Sequence, residues 1–154
     1  MVNKDINIDS EMKAKLVREA MAVLPNSFAP YSHYNVAAAV LTSSGKIYTG
    51  VNVESSLLSC TICAERNAIF TAVAEGERKI TAIAIVGGLN ASTAETLTEL
   101  DYCTPCGVCR QVMRDFCGDP SKFRIICARS EEDYKEFTLE QLLPESFGPE
   151  DLVA

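Results

Sequence analysis

Residues 60–86 read CTICAERNAIFTAVAEGERKITAIAIV. From Cys63 to Glu75 the apolar residues recur at helical spacing, and Gly76 is a typical residue just beyond a helix C-terminus. Ile80 to Val86 is a continuous apolar run with the length of a buried strand. This stretch therefore predicts a helix followed by a buried strand, which is the pairing on which α/β folds are built.

The flanking sequence predicts further elements of both kinds. Ser10 is a candidate N-cap for a helix through Leu24, and Ser43-Ser44-Gly45 is a candidate hairpin turn. The other predicted elements are strands Tyr34–Thr42, Ile47–Val53 and Phe123–Ala128, helices Pro105–Cys117 and Thr138–Leu143, and a loop Gly87–Leu100 with a short helical piece around Glu95–Leu100. This order predicts a three-layer α/β/α sandwich around a mixed sheet of about five strands.

Length and composition fit one domain over residues 1–154. The chain is 47% hydrophobic, but its longest apolar runs are far shorter than the roughly 20 residues that a membrane-spanning helix needs. The first residues, Met1 to Ile6, include charges and lack the pattern of a signal peptide. We therefore expect a cytoplasmic protein that does not enter a membrane.

Charge and cysteine content narrow the chemistry. The formal net charge of -7, without a basic cluster, argues against a nucleic acid polymer as partner and leaves small molecules, including uncharged nucleosides. Seven cysteines cannot all pair within one chain, and a reducing compartment disfavours disulfides. Metal binding is the leading use for them.

Two Cys-x-x-Cys pairs, Cys60/Cys63 and Cys106/Cys109, indicate zinc. A closed site with four thiolates would be structural, whereas three thiolates and one open position would be catalytic, and the spacing alone does not separate the two. Thr61 and Thr104 each precede a cysteine by two residues and are candidate N-caps.

Each of these cysteines would then begin a helix, where free N–H groups favour the thiolate. Cys106 and Cys109 would lie on one helical face. Glu65 follows Cys63 by two residues, so its carboxylate can lie beside the metal without binding it. A structural zinc site needs no such acid, although an isolated glutamate on a helix is usually a surface residue.

The stretches Thr61-Ile62-Cys63-Ala64-Glu65-Arg66 and Pro105-Cys106-Gly107-Val108-Cys109-Arg110-Gln111 closely resemble the paired motif of cytidine deaminases in the class with three cysteine ligands. The resemblance extends to Ala29-Pro30-Tyr31-Ser32, Gly50-Val51-Asn52-Val53-Glu54 and Leu142-Leu143-Pro144-Glu145-Ser146-Phe147. It covers almost the whole chain after the first predicted helix.

The resemblance implies zinc-dependent hydrolytic deamination of cytidine or deoxycytidine, with one Zn²⁺ per subunit. It implies Cys63, Cys106 and Cys109 as ligands, Glu65 as the proton shuttle and Arg66 as a donor to the ligand sulfurs. It also implies a substrate site made by four residues and a homotetramer with shared sites. These residues are Asn52 and Glu54 at the ribose, Tyr34 near the base, and Phe147 contributed by a neighbouring subunit.

Two departures leave the substrate open. After Glu54, the sequence Ser55-Ser56-Leu57-Leu58 replaces the Asn-Ala-Ser-Tyr that is usual in the family. This makes the wall of the substrate pocket less polar and could admit a base-modified cytidine. The stretch 87–104 is longer than usual and places Cys103 next to the site. One alternative is a deaminase of aminonucleoside antibiotics that resembles blasticidin S deaminase. A more distant one is a structural zinc module whose four ligands are Cys60, Cys63, Cys106 and Cys109.

Overall fold

The computed structural model describes residues 7–93 and 95–152. Its helices and strands are α1 Ser10–Val23, β1 Tyr34–Thr42, β2 Ile47–Val51, α2 Ala64–Ala74, β3 Ile80–Leu89, α3 Gly107–Phe116, β4 Arg124–Ala128, β5 Tyr134–Thr138 and α4 Leu139–Leu142. Short 3-10 turns include Leu24–Asn26 and Thr96–Thr98. The segment Met1 to Ile6, on which the signal-peptide prediction rests, lies outside the described residues.

One mixed sheet carries all five strands in the order β2-β1-β3-β4-β5. β3 and β4 run parallel, and the other neighbouring pairs are antiparallel. β1 and β3 lie inside the sheet and are buried along most of their length, as their apolar sequences require. The mixed sheet confirms the predicted α/β fold class.

Helices cover both faces of this sheet. On one face, α1 packs Leu16, Val17 and Ala20 against alternate strand residues that include Ala84 and Val86. The other face carries α2, α3 and α4, whose buried residues pack against the intervening strand positions: Ala68, Ile69, Met113 and Leu139 from the helices, and Ile83, Ile85 and Ile125 from the strands. Two separate apolar cores therefore lie on either side of one sheet.

Several predicted details were wrong. α1 is capped by Asp9, whose carboxylate accepts a hydrogen bond of 2.9 Å from the Met12 N–H, and not by Ser10. β2 ends at Val51, because Val53 makes only isolated bridges to Phe28 and Ile62. β3 continues beyond Val86 to Leu89, and β5 was not predicted as an element.

α2 lies unusually close to the sheet at Gly50. A Cβ atom at this position would lie 2.3 Å from the Ala68 nitrogen and 2.7 Å from the Ala64 carbonyl oxygen. Asn67 adds a hydrogen bond of 2.8 Å from its side-chain amide to the Val51 carbonyl. Glycine thus lets the backbone of β2 contact α2 directly, and this fixes the helix that carries Glu65.

Among the described helices, none has the length and apolar character to span a membrane.

Candidate active site

α2 and α3 begin at cysteines. Cys63 and Cys106 are the N-cap residues, both with extended backbone, and their carbonyls accept the first helical hydrogen bonds from Asn67 and Arg110. The predicted capping by Thr61 and Thr104 was wrong, because neither helix has a side-chain cap. The cysteines occupy the cap positions themselves, which places their sulfur atoms beside the free N–H groups of each first turn.

Three thiols converge between these helix ends. The sulfur atoms of Cys63, Cys106 and Cys109 all lie within 4.8 Å of one another. Cys63 Sγ and Cys106 Sγ are 3.8 Å apart. A tetrahedral zinc ion with Zn–S bonds of about 2.3 Å separates its sulfur ligands by roughly 3.8 Å, so the donor set fits zinc. Cys60 is exposed and is not part of this cluster.

Contacts within the cluster favour a thiolate at Cys63. The pKa of the Cys63 thiol is lowered to about 5 by a hydrogen bond from the Cys109 thiol, with further contributions from Arg66 and Cys106. The same contact, together with burial, raises the pKa of Cys109. Arg66 Nη2 lies 3.5 Å from Cys63 Sγ, so the guanidinium places positive charge beside the thiol cluster.

Glu65 is a buried acid beside the cluster. Glu65 lies on the first turn of α2, and only 4% of its surface is exposed. Burial raises the pKa of the carboxyl to about 7, and the Cys63 charge acts in the same direction. A carboxyl with a pKa near neutrality can both accept and donate a proton, which is the property of a general acid–base group.

A cavity of about 380 Å³ opens onto Glu65 and onto two of the clustered cysteines, Cys63 and Cys106. This volume lies in the range of small-molecule sites. Of the predicted site residues, Tyr34, Asn52, Cys63, Glu65 and Cys106 line the cavity. The other lining residues are Val36, Thr61, Ala64, Ile85, Tyr102, Cys103 and Thr104.

The two predicted ribose residues occupy different environments. Asn52 is 8% exposed, and its amide accepts from the Val36 N–H at 2.9 Å and donates to the Tyr34 carbonyl at 2.8 Å. Glu54 does not line the cavity, and its carboxylate accepts from the backbone N–H groups of Tyr31 and Ser32 at 2.9 Å and 3.2 Å. The structure therefore brings Asn52 to the cavity wall, whereas Glu54 orders the neighbouring loop.

Phe147 lies outside the cavity of its own chain. It is 57% exposed, and its carbonyl accepts a hydrogen bond of 3.0 Å from Gln111 on α3. Its ring is therefore displayed on the surface by a backbone that is attached to the helix bearing Cys109.

Tyr102 was not predicted as a site residue, and Cys103 was predicted only to lie next to the site. Both line the cavity, and Tyr34 Oη lies 3.2 Å from Cys103 Sγ and 2.9 Å from Asp101 Oδ2. Their position directly before Thr104-Pro105-Cys106 was the available signal. The contact with Tyr34 could not be predicted, because it joins residues far apart in sequence.

Three thiols at two helix ends, with a buried glutamic acid beside them in an α/β/α sandwich, define the class of zinc-dependent hydrolytic deaminases. Residues 10–124 match the family described as cytidine and deoxycytidylate deaminase zinc-binding region. The chain belongs to this family, and the predicted resemblance is confirmed.

Individual relatives align with this chain over most of their length. The cytidine deaminase of Halalkalibacterium halodurans is 36% identical, over 89% of this chain and 95% of its own. That of Sporosarcina psychrophila is 37% identical, over 90% and 93%. The crystal structure of cytidine deaminase from Burkholderia pseudomallei, 36% identical, covers 86% of this chain and 97% of its own with a TM-score of 0.72.

Proposed function

We propose that this enzyme hydrolyses cytidine and deoxycytidine to uridine or deoxyuridine and ammonia. The observation that carries the proposal is the buried Glu65 carboxyl beside three convergent thiols, of which Cys63 and Cys106 line the same cavity as Glu65. The relatives named cytidine deaminase support the choice of substrate. The seven free cysteines suit a reducing compartment such as the cytoplasm.

Cys63, Cys106 and Cys109 would hold one zinc ion per subunit. Zinc bound by three protein ligands lowers the pKa of a water molecule in its fourth position. Arg66 and the two helix N-termini offset the negative charge of the thiolates.

Glu65 moves the protons of the reaction. Its carboxylate takes a proton from the attacking water and delivers it to N3 of the base. The ionised carboxylate then takes the remaining proton from the C4 hydroxyl and delivers it to the departing amine, so that one water is consumed, C4 gains a carbonyl oxygen and ammonia leaves. Burial of Glu65 keeps its pKa close to neutrality, which suits both transfers.

The cavity favours a nucleoside over a nucleotide. Of the described residues that line it, none is lysine or arginine, and Glu65 adds negative charge when ionised. Phosphate groups are usually held by arginine, lysine or helix N-termini, and here the helix N-termini face the thiols. We propose that Asn52 contacts the ribose, that Glu54 orders the loop beside it, and that the Tyr34 ring packs near the base.

Turnover of a substrate panel by the zinc-loaded protein tests the function. We expect rapid loss of cytidine and deoxycytidine with release of one ammonia per molecule. For deoxycytidine monophosphate we expect at least roughly hundredfold lower kcat/KM, because no lysine or arginine lines the described cavity to bind the phosphate. Glu65→Gln should retain zinc and lose activity by at least about a thousandfold. Glu75→Gln, at the other end of α2, is the matched control and should remain active.

Two results would contradict this assignment. An active Glu65→Gln variant would remove the proposed proton shuttle. Turnover of blasticidin S without turnover of cytidine would agree with the zinc chemistry but would show that the substrate is an aminonucleoside antibiotic.

We further propose a homotetramer in which Phe147 reaches the site of a neighbouring subunit. The exposure of Phe147, Phe28, Leu57 and Leu58 supports an apolar interface. Light scattering should give four times the 16.7 kDa mass of the chain. Phe147→Ala should raise KM at least about fivefold while the tetramer persists, and a fully active monomer would contradict both statements.

A further inference from the structure

The hydroxyl of Tyr34 joins two parts of the cavity wall. It lies 2.9 Å from Asp101 Oδ2 and 3.2 Å from Cys103 Sγ. Tyr34 is the first residue of β1, whereas Asp101 and Cys103 belong to the long loop between β3 and α3. These two hydrogen bonds therefore attach residues 101–104 to the end of β1.

The direction of each hydrogen bond follows from the groups involved. A carboxylate only accepts, so the Tyr34 hydroxyl donates to Asp101. The Cys103 thiol then donates to the Tyr34 oxygen. Burial raises the pKa of Tyr34. Burial also raises the pKa of Cys103 to about 11, against an opposing effect of the Tyr34 hydrogen bond, so both groups keep their protons at neutral pH. Cys103 consequently offers the cavity a neutral sulfur surface.

The attached segment is closely packed against β3. The Asp101 N–H donates to the Gly87 carbonyl at 2.8 Å. A Cβ atom at Gly87 would lie 3.0 Å from Cys103 Sγ and 2.5 Å from the Asn35 carbonyl oxygen. Little space is left between the segment and the sheet at this point, so a segment freed from the Tyr34 bonds has room to shift only away from β1 and β3.

Movement of this segment would change the cavity itself. Tyr102, Cys103 and Thr104 are consecutive and all line the cavity, and Cys106 follows two residues after Thr104. Cys103 also lies close enough to Glu65 for the glutamate charge to act on its thiol. Residues 102–104 therefore form the wall at the reacting end of the cavity, where a pyrimidine base rather than its sugar would lie.

We propose that the Tyr34 hydroxyl is a positioning group that, through Asp101 and Cys103, fixes residues 102–104 and so limits the size of the base substituent that the site accepts. The proposal rests on the deamination of cytidine proposed above. It concerns the hydroxyl alone, since the ring of Tyr34 packs against the apolar core whether or not the hydroxyl is present.

Tyr34→Phe tests the proposal because it removes one oxygen and keeps the ring. We expect KM for cytidine to rise roughly fivefold to tenfold, as for loss of one ordinary hydrogen bond, with kcat changed less than about twofold. The preference for cytidine over 5-methylcytidine should fall about tenfold, because the wall is released. Tyr48→Phe makes the same chemical change on β2, outside the cavity, and should alter neither quantity.

A double-mutant cycle separates an action through Asp101 from direct contact with substrate. If the hydroxyl acts through Asp101, Tyr34→Phe combined with Asp101→Asn should resemble Tyr34→Phe alone within about twofold. Effects of the two substitutions that multiply would overturn the proposal, because the hydroxyl would then act independently of the carboxylate.

Thiol labelling gives a readout that needs no substrate. In the zinc-loaded Cys60→Ser background, modification of Cys103 followed by site-resolved mass spectrometry should be at least about tenfold faster in Tyr34→Phe than in Tyr48→Phe, because release of residues 102–104 exposes a thiol that is otherwise buried. Equal labelling rates would overturn the proposed attachment. A wild-type protein that leaves cytidine unchanged would instead overturn the proposed function and the specificity claim, while the labelling rates would still decide the attachment.

Discussion

Cys60 and Cys63 are three residues apart in sequence but have different surroundings. Cys63 caps α2, faces two other thiols and lies beside Arg66, whose guanidinium favours the thiolate. Cys60 ends a short 3-10 turn and is exposed. The two thiols thus share a motif, but only one has the charge and neighbours of a metal ligand.

Substitution of each cysteine by serine should separate these roles. We expect Cys60→Ser to retain one zinc per chain and Cys63→Ser to lose it under mild chelation, because serine keeps the size of the residue but removes the sulfur ligand. Elemental analysis after gel filtration measures the zinc content. Loss of zinc from Cys60→Ser would favour the structural site with four thiolates.

The site residues differ in how far the sequence could predict them. Local spacing and two helix starts placed Cys63, Glu65, Cys106 and Cys109 near one another, but only the resemblance to cytidine deaminases left Cys60 out of the ligand set. The hydrogen bonds of Tyr34 depend on the register of β1 and the path of the long loop, and neither is encoded locally. Long-range contacts of this kind require the folded chain.

At the scale of helices and strands, strong apolar periodicity predicted the type of each element correctly, but it did not predict the exact first and last residues. α2 was expected over Cys63–Glu75 and spans Ala64–Ala74, because both predicted end residues are caps. β5, Tyr134–Thr138, reads YKEFT, and this edge strand is only half buried, so its sequence lacks an apolar run. Its pairing with β4 forms it, and a local pattern cannot show such pairing.

The contact between α2 and β2 predicts a large effect of one methyl group. Gly50→Ala should lower the free energy of unfolding by about 3 kcal/mol, because the nearest atoms to the new Cβ are backbone atoms that cannot rotate away. Gly107→Ala is the control, since nothing lies within 4 Å of its Cβ position. Urea denaturation measures both, and equal stabilities of the two variants would show that α2 can shift freely.

The whole molecule has two cores separated by the sheet. α1 belongs to one core, whereas α2 and α3 belong to the other and carry the thiols. The C-terminal segment is attached to α3 by side-chain hydrogen bonds: Arg110 to the Leu142 carbonyl at 2.8 Å, Gln111 to the Phe147 carbonyl at 3.0 Å and Arg114 to Ser146 Oγ at 3.0 Å. We therefore expect α3 and residues 142–147, the segment that displays Phe147, to become disordered together.

Removal of zinc should loosen one side of the molecule. A metal that binds only the folded site stabilises the elements that hold its ligands. Without it the three thiols are held together by the packing of α2 and α3 and by the weak hydrogen bonds among the thiols and Arg66. Local opening need not cross the sheet, because each face has its own core.

Hydrogen exchange with and without a chelator measures this asymmetry. We expect at least roughly tenfold faster exchange in the first turns of α2 and α3 and in residues 142–150, with little change in α1. Slow exchange in residues 142–150 would show that the C-terminal segment is ordered independently of α3. Acceleration in α1 equal to that in α3 would mean that the two cores open together, so that zinc stabilises the whole fold rather than the face that binds it.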